Sequence, residues 1–284
     1  MLTATTMMRL ATQTPSTMLI VASVTQTPSM MRTTSSVPLT YRPSSTKAVV
    51  YEERGLKEFM SRIYTRMGLG ITASIGTGLL TMPLAAEYPL QVFGAGAVLG
   101  LGSVFGITKI QPILKQEKDM LRTENTPLRE ACYWGMAGGM GLVMAPMIGI
   151  TQALDPSILP TAMALSGGIF GTCAYVSTRV KDATMMAWKV PLSVGLASLI
   201  GTQVIGLASM FFLGPNMFSS LLHNVDIYGG IALFTAMSIY DSHAARKHYR
   251  DGNADHLGCA TTFYLDFINL FIRIMEVLSR SKKN

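Results

Sequence analysis

Charge is scarce in this sequence. Only 14% of its 284 residues are Asp, Glu, Lys or Arg, while 49% are hydrophobic; a typical soluble domain carries about 25% charged residues. A soluble globule of this length needs more charged groups to cover its surface. A disordered chain needs low hydrophobicity with high net charge. Both classes are excluded. Cysteine is equally sparse. Cys132, Cys173 and Cys259 lie far apart, each in or beside an apolar run, which excludes a disulfide-stapled secreted scaffold and supplies no paired metal-ligand spacing. His243, His248 and His256 share one connection with Asp251 and Asp255. None heads an HExxH motif, so a metalloprotease is not indicated and a solvated loop is expected. No motif supports a dehydrogenase, a kinase or a nucleic-acid partner. What remains is a multi-spanning membrane protein, with a mean hydropathy of +0.35 and a formal net charge of +7.

Acidic residues are absent from the first fifty positions. That segment holds Arg9, Arg32, Arg42 and Lys47, and nineteen of its fifty residues are Ser or Thr. Basic, hydroxyl-rich and acid-free is the composition of a mitochondrial transit peptide. A secretory signal needs an apolar core of about 7–15 residues, and the MLIVASV run at 18–24 is too short and interrupted. Residues 1–50 are therefore expected to be a disordered import segment and 51–66 an amphipathic juxtamembrane linker. The membrane domain is expected over 67–280, with a basic tail at 281–284. Without the four basic residues of 1–50, the 23 basic groups fall to 19 against 16 acidic ones, and the charge falls to +3.

A membrane-spanning helix needs about 20 predominantly apolar residues. Seven runs qualify, at 67–86, 88–108, 131–152, 158–178, 190–212, 225–240 and 259–278. The second, fourth and sixth connections carry five, three and three Lys or Arg residues, and the first, third and fifth carry none. This positive-inside asymmetry places the N-terminus with the basic loops, on the matrix side of an inner mitochondrial membrane. Seven spans then put the C-terminal tail on the opposite face, despite its Arg280, Lys282 and Lys283. An eighth half-span, or a re-entrant sixth or seventh segment, would restore the charge pattern. Gly70/Ser74/Gly78, Gly135/Gly139 and Gly167/Gly171 have the small-xxx-small spacing that lets helices approach closely in lipid. The run GAGAVLGLGSVFG at 94–106 lacks the preceding strand of a dinucleotide loop and reads as a packing face.

Ionisable groups inside spans are costly and are functional candidates by default. Asp241 ends the sixth run, and Asp266 stands in the middle of the seventh. Thr262, Asp266, Asn269, Arg273, Glu276 and Arg280 recur at spacings of three and four and form one polar stripe on a helix. The other faces are apolar, so this helix should be enclosed with its stripe turned to an internal path. Asn269, Arg273, Glu276 and Gln203 are the candidate lining residues. The alternative for Asp266 is a purely structural pairing with Arg273. Glu87 reads as interfacial, and Asp226 and His223 read as an ordinary helix start.

GGIALFTAMSIYDS at 229–242, followed by DHLGCATTFYLDFINLFIRIMEVL at 255–278, resembles the C-terminal signature of the transmembrane Bax inhibitor motif family. DPSILPTA at 155–162 is similar to that family's connection between its third and fourth spans. The resemblance covers residues 55–280. It implies an all-α integral membrane fold, a seven-helix bundle with a central C-terminal helix, in agreement with the stripe. It matches Asp241 and Asp266 to the family's di-aspartyl pair. With the acid-free N-terminal segment, it points to the mitochondrial branch, although that branch's extra N-terminal span has no counterpart among the seven runs. The resemblance also implies roles in cristae organisation and the restraint of apoptosis, through inner-membrane and apoptosis-related partners.

Two carboxylates meeting in a low-dielectric site do not readily both ionise, so they share a proton. Losing it leaves paired negative charge that repels or takes up a hard cation, and Ca²⁺ prefers carboxylate and carbonyl oxygens. Competition of Ca²⁺ and H⁺ for Asp241 and Asp266 is the minimum chemistry of a Ca²⁺/H⁺ exchanger or a pH-gated leak. The expectation is transport in the inner membrane, with no cofactor beyond the carried ion and the bilayer as constant partner. The alternative is an endoplasmic reticulum or Golgi protein of the same family that acts by leak and interaction without exchange. An intramembrane aspartyl protease is disfavoured, because a YD pair is present at 240–241 but no GxGD. No enzyme activity is expected.

Overall fold

The computed structural model describes residues 46–283 apart from 118, 119, 215 and 216. The acid-free segment lies outside the described residues except for 46–50, which open the first helix. In chain order the elements are α1 (Thr46–Glu87), α2 (Pro89–Lys109), β1 (Ile113–Glu117), β2 (Met120–Glu124), α3 (Pro127–Leu154), α4 (Ile158–Val176), α5 (Asp182–Leu213), α6 (Met217–Arg250) and α7 (His256–Lys283). The fold is an all-α membrane bundle. Among the described residues the one non-helical element is an antiparallel hairpin in the second connection, pairing Ile113 with Glu124 and Lys115 with Arg122.

Several helices run past their apolar segments. Residues 51–66 are the N-terminal part of α1 itself, continuous with the span. This extension is held by Phe59 and Ile63, both buried, with Phe59 against Tyr249 at 5.1 Å between ring centroids. At the other end of the chain, α6 continues through the histidine-bearing connection. The expected loop at 242–258 contracts to the short turn before α7, which passes through Gly252 at φ +86°. His243 and His248 are helical and His256 opens α7, so the histidines do not form a solvated loop. Pro127 begins α3 behind Thr126, whose Oγ1 accepts from the Arg129 N–H; Pro at N1 forfeits no helical hydrogen bond.

The stripe pattern of α7 is explained by its position. Residues 263–276 are buried without interruption, and the helix packs against α1, α3, α4 and α6, while α2 lies chiefly on α3 and α5 on α6. Phe170 of α4 stands edge-on to Phe263 and Phe267. Among the described residues six helices, all but α6, are long and apolar enough to cross a membrane. The 34-residue α6 carries Asp226, Asp241 and a basic last turn, which lower its hydropathy.

Lys282 Nζ lies 2.8 Å from Asp155 Oδ2 in the α3–α4 turn, so α7 ends on the face opposite the basic connections. No re-entrant segment is needed. The tail's positive charge is met there by an acidic partner. Donation from Lys282 and from the Ser157 N–H holds the Asp155 carboxyl below the usual carboxylate range. A depressed native value stabilises above the unfolded value of about 3.9 and is lost as pH falls through the native one. Amide exchange in the last turn of α7 is therefore expected to be pH-independent in intrinsic-rate-corrected terms above about pH 5 and to accelerate below about pH 4. Asp155→Asn should show the accelerated exchange at all pH values.

Small residues set the helix spacing at two of the three expected places. Ser74 Oγ donates to Ala137 O at 2.8 Å, and a Cβ on Gly78 or Gly141 would meet the facing helix. Gly135 and Gly139 lie against Ser103, Gly100 and Gly96, so the 94–106 run is a packing face. Gly167 and Gly171 have nothing within 4 Å of an added Cβ and mediate no close approach among the described residues.

Candidate functional site

α6 and α7 are antiparallel neighbours, and their facing polar residues pair in sequence as one helix descends and the other climbs. On α6 the relevant positions are Asp226, Gly230, Phe234, Met237 and Asp241, spaced by four, four, three and four. All but Asp241 are buried. This face meets the α7 stripe.

At its upper end Asp241 and Asp266 bring their carboxyl groups within hydrogen-bonding reach of each other. Asp266 is 1% exposed. One oxygen of each, Oδ2, is buried without a hydrogen-bond partner, as are Ser242 Oγ beside Asp241 and Tyr64 Oη of α1, whose hydroxyl faces Ser242. An unmet buried acceptor costs about 1–3 kcal/mol, and such groups gathered in one place mark a site for water, a proton or an ion.

The lower end is a second buried cluster. Arg273 donates from Nη2 to Asp226 Oδ1 at 3.1 Å and from Nε to Asp226 O at 3.2 Å. Its Nη1 donates to Asn269 O at 3.1 Å and Asn269 Oδ1 at 3.2 Å. Gln203 of α5 donates to the same Asp226 Oδ1 at 2.7 Å. The guanidinium carbon stands 5.0 Å from the Phe234 ring centroid, and a Cβ on Gly230 would fall on the guanidinium. Arg273 thus pairs with Asp226, and the structural pairing with Asp266 is not formed. One turn further, Glu276 Oε1 lies 2.6 Å from His223 Nε2 and 3.2 Å from Arg280 Nη2, and Arg280 reaches Asn224 Oδ1 at 2.6 Å.

Of the expected residues, Asp241, Asp266, Asn269, Arg273, Glu276 and Gln203 all fall on this single column. Asp226 and His223, read as a helix start, belong to it as well. The four-and-three spacing of Asp226 with Asp241 on α6 was the signal available. Glu87 is exposed at the end of α1. Among the described residues no three His, Cys, Asp or Glu side chains converge on a metal position. An ion at the aspartate pair would complete its shell from hydroxyl, carbonyl or water oxygens.

A separate polar knot ties the basic face. Arg129, 2% exposed, donates to both oxygens of Asp255 at 2.8 and 2.6 Å and to Asn125 Oδ1 at 2.7 Å. His243 Nε2 lies 2.7 Å from Asp182 Oδ1, and Arg246 donates to Ala174 O and Ser177 Oγ at the end of α4.

The family profile described as "Inhibitor of apoptosis-promoting Bax1" matches residues 56–283. The chain is 25% identical over 224 residues to the growth hormone-inducible transmembrane protein of Rattus norvegicus, covering 76% of this chain and 61% of that one. It is 26% identical over 150 residues to Bax inhibitor 1 of Bos taurus, covering 53% and 60%. It is 24% identical over 229 residues to an uncharacterized protein of Caulobacter vibrioides, covering 77% and 87%. The chain thus spans about three fifths of the length of the two named relatives. The matched residues take in every helix from within α1 to the end of α7, including the enclosed polar column, and the chain belongs to the Bax inhibitor family of multi-pass membrane proteins.

Proposed function

We propose that this chain is an inner mitochondrial membrane protein that moves Ca²⁺ in a proton-dependent way, as an exchanger or a gated leak, through Asp241 and Asp266. Through that transport and through contacts with inner-membrane proteins it contributes to cristae organisation and restrains apoptosis. It acts as a transporter, not as an enzyme. The observation that carries the reading is the meeting of two acidic side chains from adjacent helices in the bundle interior, each with an unmatched oxygen. A shared proton holds such a pair together with one negative charge. Its loss leaves two charges that demand a cation, so flux should rise with pH. The basic, acid-free segment before α1 and the similarity to the rat growth hormone-inducible transmembrane protein support the mitochondrial location.

A second reading places the chain in the endoplasmic reticulum or Golgi, as a leak and an anti-apoptotic interaction protein without exchange. The 26% identity to bovine Bax inhibitor 1 favours it. Mass measurement of the mature N-terminus after organelle import separates the two, since only mitochondrial import removes the acid-free segment. For the transport chemistry, the full chain is reconstituted in liposomes loaded with a Ca²⁺ indicator. Asp241→Asn and Asp266→Asn are each expected to abolish the pH dependence of Ca²⁺ flux. Unchanged flux and pH response in both variants overturns the reading.

A further inference from the structure

The aspartate pair is not the only place on the column where a cation is held. We propose that Asp226 is a second cation site on the ion path, occupied in this state by the guanidinium of Arg273 acting as a tethered substitute ion, and that its displacement opens the face opposite the basic connections. The inference rests on the transport reading and deepens it.

The oxygen inventory is the first ground. Around one fully buried guanidinium stand Asp226 Oδ1, Asp226 O, Asn269 O and Asn269 Oδ1, all within 3.2 Å of its nitrogens. Gln203, bonded to the same Asp226 oxygen through Nε2, keeps its own Oε1 buried and without a partner. One carboxylate, two main-chain carbonyls and two side-chain amide oxygens are the ligand types a hard divalent ion takes. A guanidinium is a single charge that satisfies only some of them.

Placement is the second ground. Asn269 joins this cluster to Asp266 one turn away on α7. On the other side Glu276, His223, Arg280 and Asn224 carry the polar column to the α7 end where Lys282 meets Asp155. Any cation passing from the aspartate pair along the stripe to that face meets Arg273. The third ground is the slot itself. Phe234 covers one side of the guanidinium, and Gly230 leaves the only side-chain-free position on α6 against which it lies. A residue needed merely to pin helices has no use for a flat slot lined with oxygens.

Removing each partner separately tests the idea, because a gate and a structural pin predict different signs. In liposomes holding the full chain, with Ca²⁺ as the probe, Arg273→Gln frees the carboxylate. Flux should rise about tenfold or more, since a unit charge met at close range in a low-dielectric path changes a barrier by at least that factor. Asp226→Asn leaves the guanidinium unneutralised on the path, and flux should fall below wild type. Arg273→Lys keeps a tethered cation and should hold flux well below that of Arg273→Gln. A structural role predicts the same direction for all three, and that result, or no change in any, overturns the proposal. If either neutral single variant fails to fold, the charge-balanced Asp226→Asn/Arg273→Gln protein decides: flux above wild type supports the gate and unchanged flux overturns it. Absence of pH-dependent Ca²⁺ flux from the wild-type chain would overturn the transport reading together with the gate. Wild-type flux that depends on Asp241 and Asp266 but not on Asp226 or Arg273 would overturn the gate alone.

Discussion

Arg273→Met is expected to lower the stability of the detergent-solubilised chain by about 3–5 kcal/mol, the cost of stripping one partner from a buried ion pair. Methionine fills much of the arginine's volume, so the loss is one of charge pairing more than of packing. Arg273 is fully buried and Asp226 is 5% exposed. With the guanidinium gone, Asp226 keeps, among the described residues, the Gln203 amide as its side-chain donor, and an uncompensated carboxylate remains between three helices. Asn269 loses two bonds at the same time. Asp226→Asn/Arg273→Met should recover most of the loss, because replacing both members of a buried pair with neutral groups is often close to neutral. Thermal unfolding of the four proteins of this cycle measures the coupling. A single-variant loss under about 1 kcal/mol, or a double variant no better than Arg273→Met, would show that the pair is not a desolvated ion pair.

The need for a central seventh helix was legible in its own sequence. A polar stripe at spacings of three and four, with Phe263, Phe267, Ile268 and Phe271 on the remaining faces, has nowhere to sit except inside a bundle. The meeting of Asp241 with Asp266 was available only through the family resemblance, since no spacing rule links residues on different helices. Asp226 looks like an ordinary helix start for a related reason. It stands near the start of an apolar run, where acidic residues are common, and its partner lies 47 positions away. The elements that ran longer than expected did so because tertiary packing continues past the lipid-facing segment. Phe59 and Ile63 carry α1 beyond its apolar run, and Tyr249 and Arg246 carry α6 through residues that look like a loop by charge alone. The hairpin at 113–124 was hidden because its strands are short and charged, without the alternation that marks a half-buried strand. Gly167 and Gly171 show the limit of the small-xxx-small pattern: spacing says where two helices can approach, not whether a partner is present.

The neighbouring glycines Gly138 and Gly139 should respond to the same substitution with opposite signs. Gly139 lies where α3 crosses α2. A Cβ there would stand 2.5 Å from Gly100 N, 2.8 Å from Gly100 Cα and 2.9 Å from Gly96 O. All three are main-chain atoms of a packed helix, so no side chain can rotate away and the helices must separate. Gly139→Ala is expected to cost about 2–3 kcal/mol, the upper part of the usual range for overpacking, and larger residues should cost more. At Gly138, one residue earlier and turned about 100° around the helix, an added Cβ meets nothing within 4 Å. There alanine relieves the entropic penalty of glycine in a helix, worth about 0.5–1 kcal/mol, and Gly138→Ala should raise the unfolding temperature slightly. The contact between α2 and α3 lies away from the polar column, so ion flux through whatever fraction of Gly139→Ala remains folded should keep its pH dependence. Equal effects of the two substitutions on thermal unfolding in detergent would mean that α2 and α3 are not in backbone contact at this crossing. The close approach is also why the glycine-rich run at 94–106 can serve helix packing without any nucleotide: Gly96 and Gly100 present bare backbone to Gly139, and that fit is lost on adding a single carbon atom.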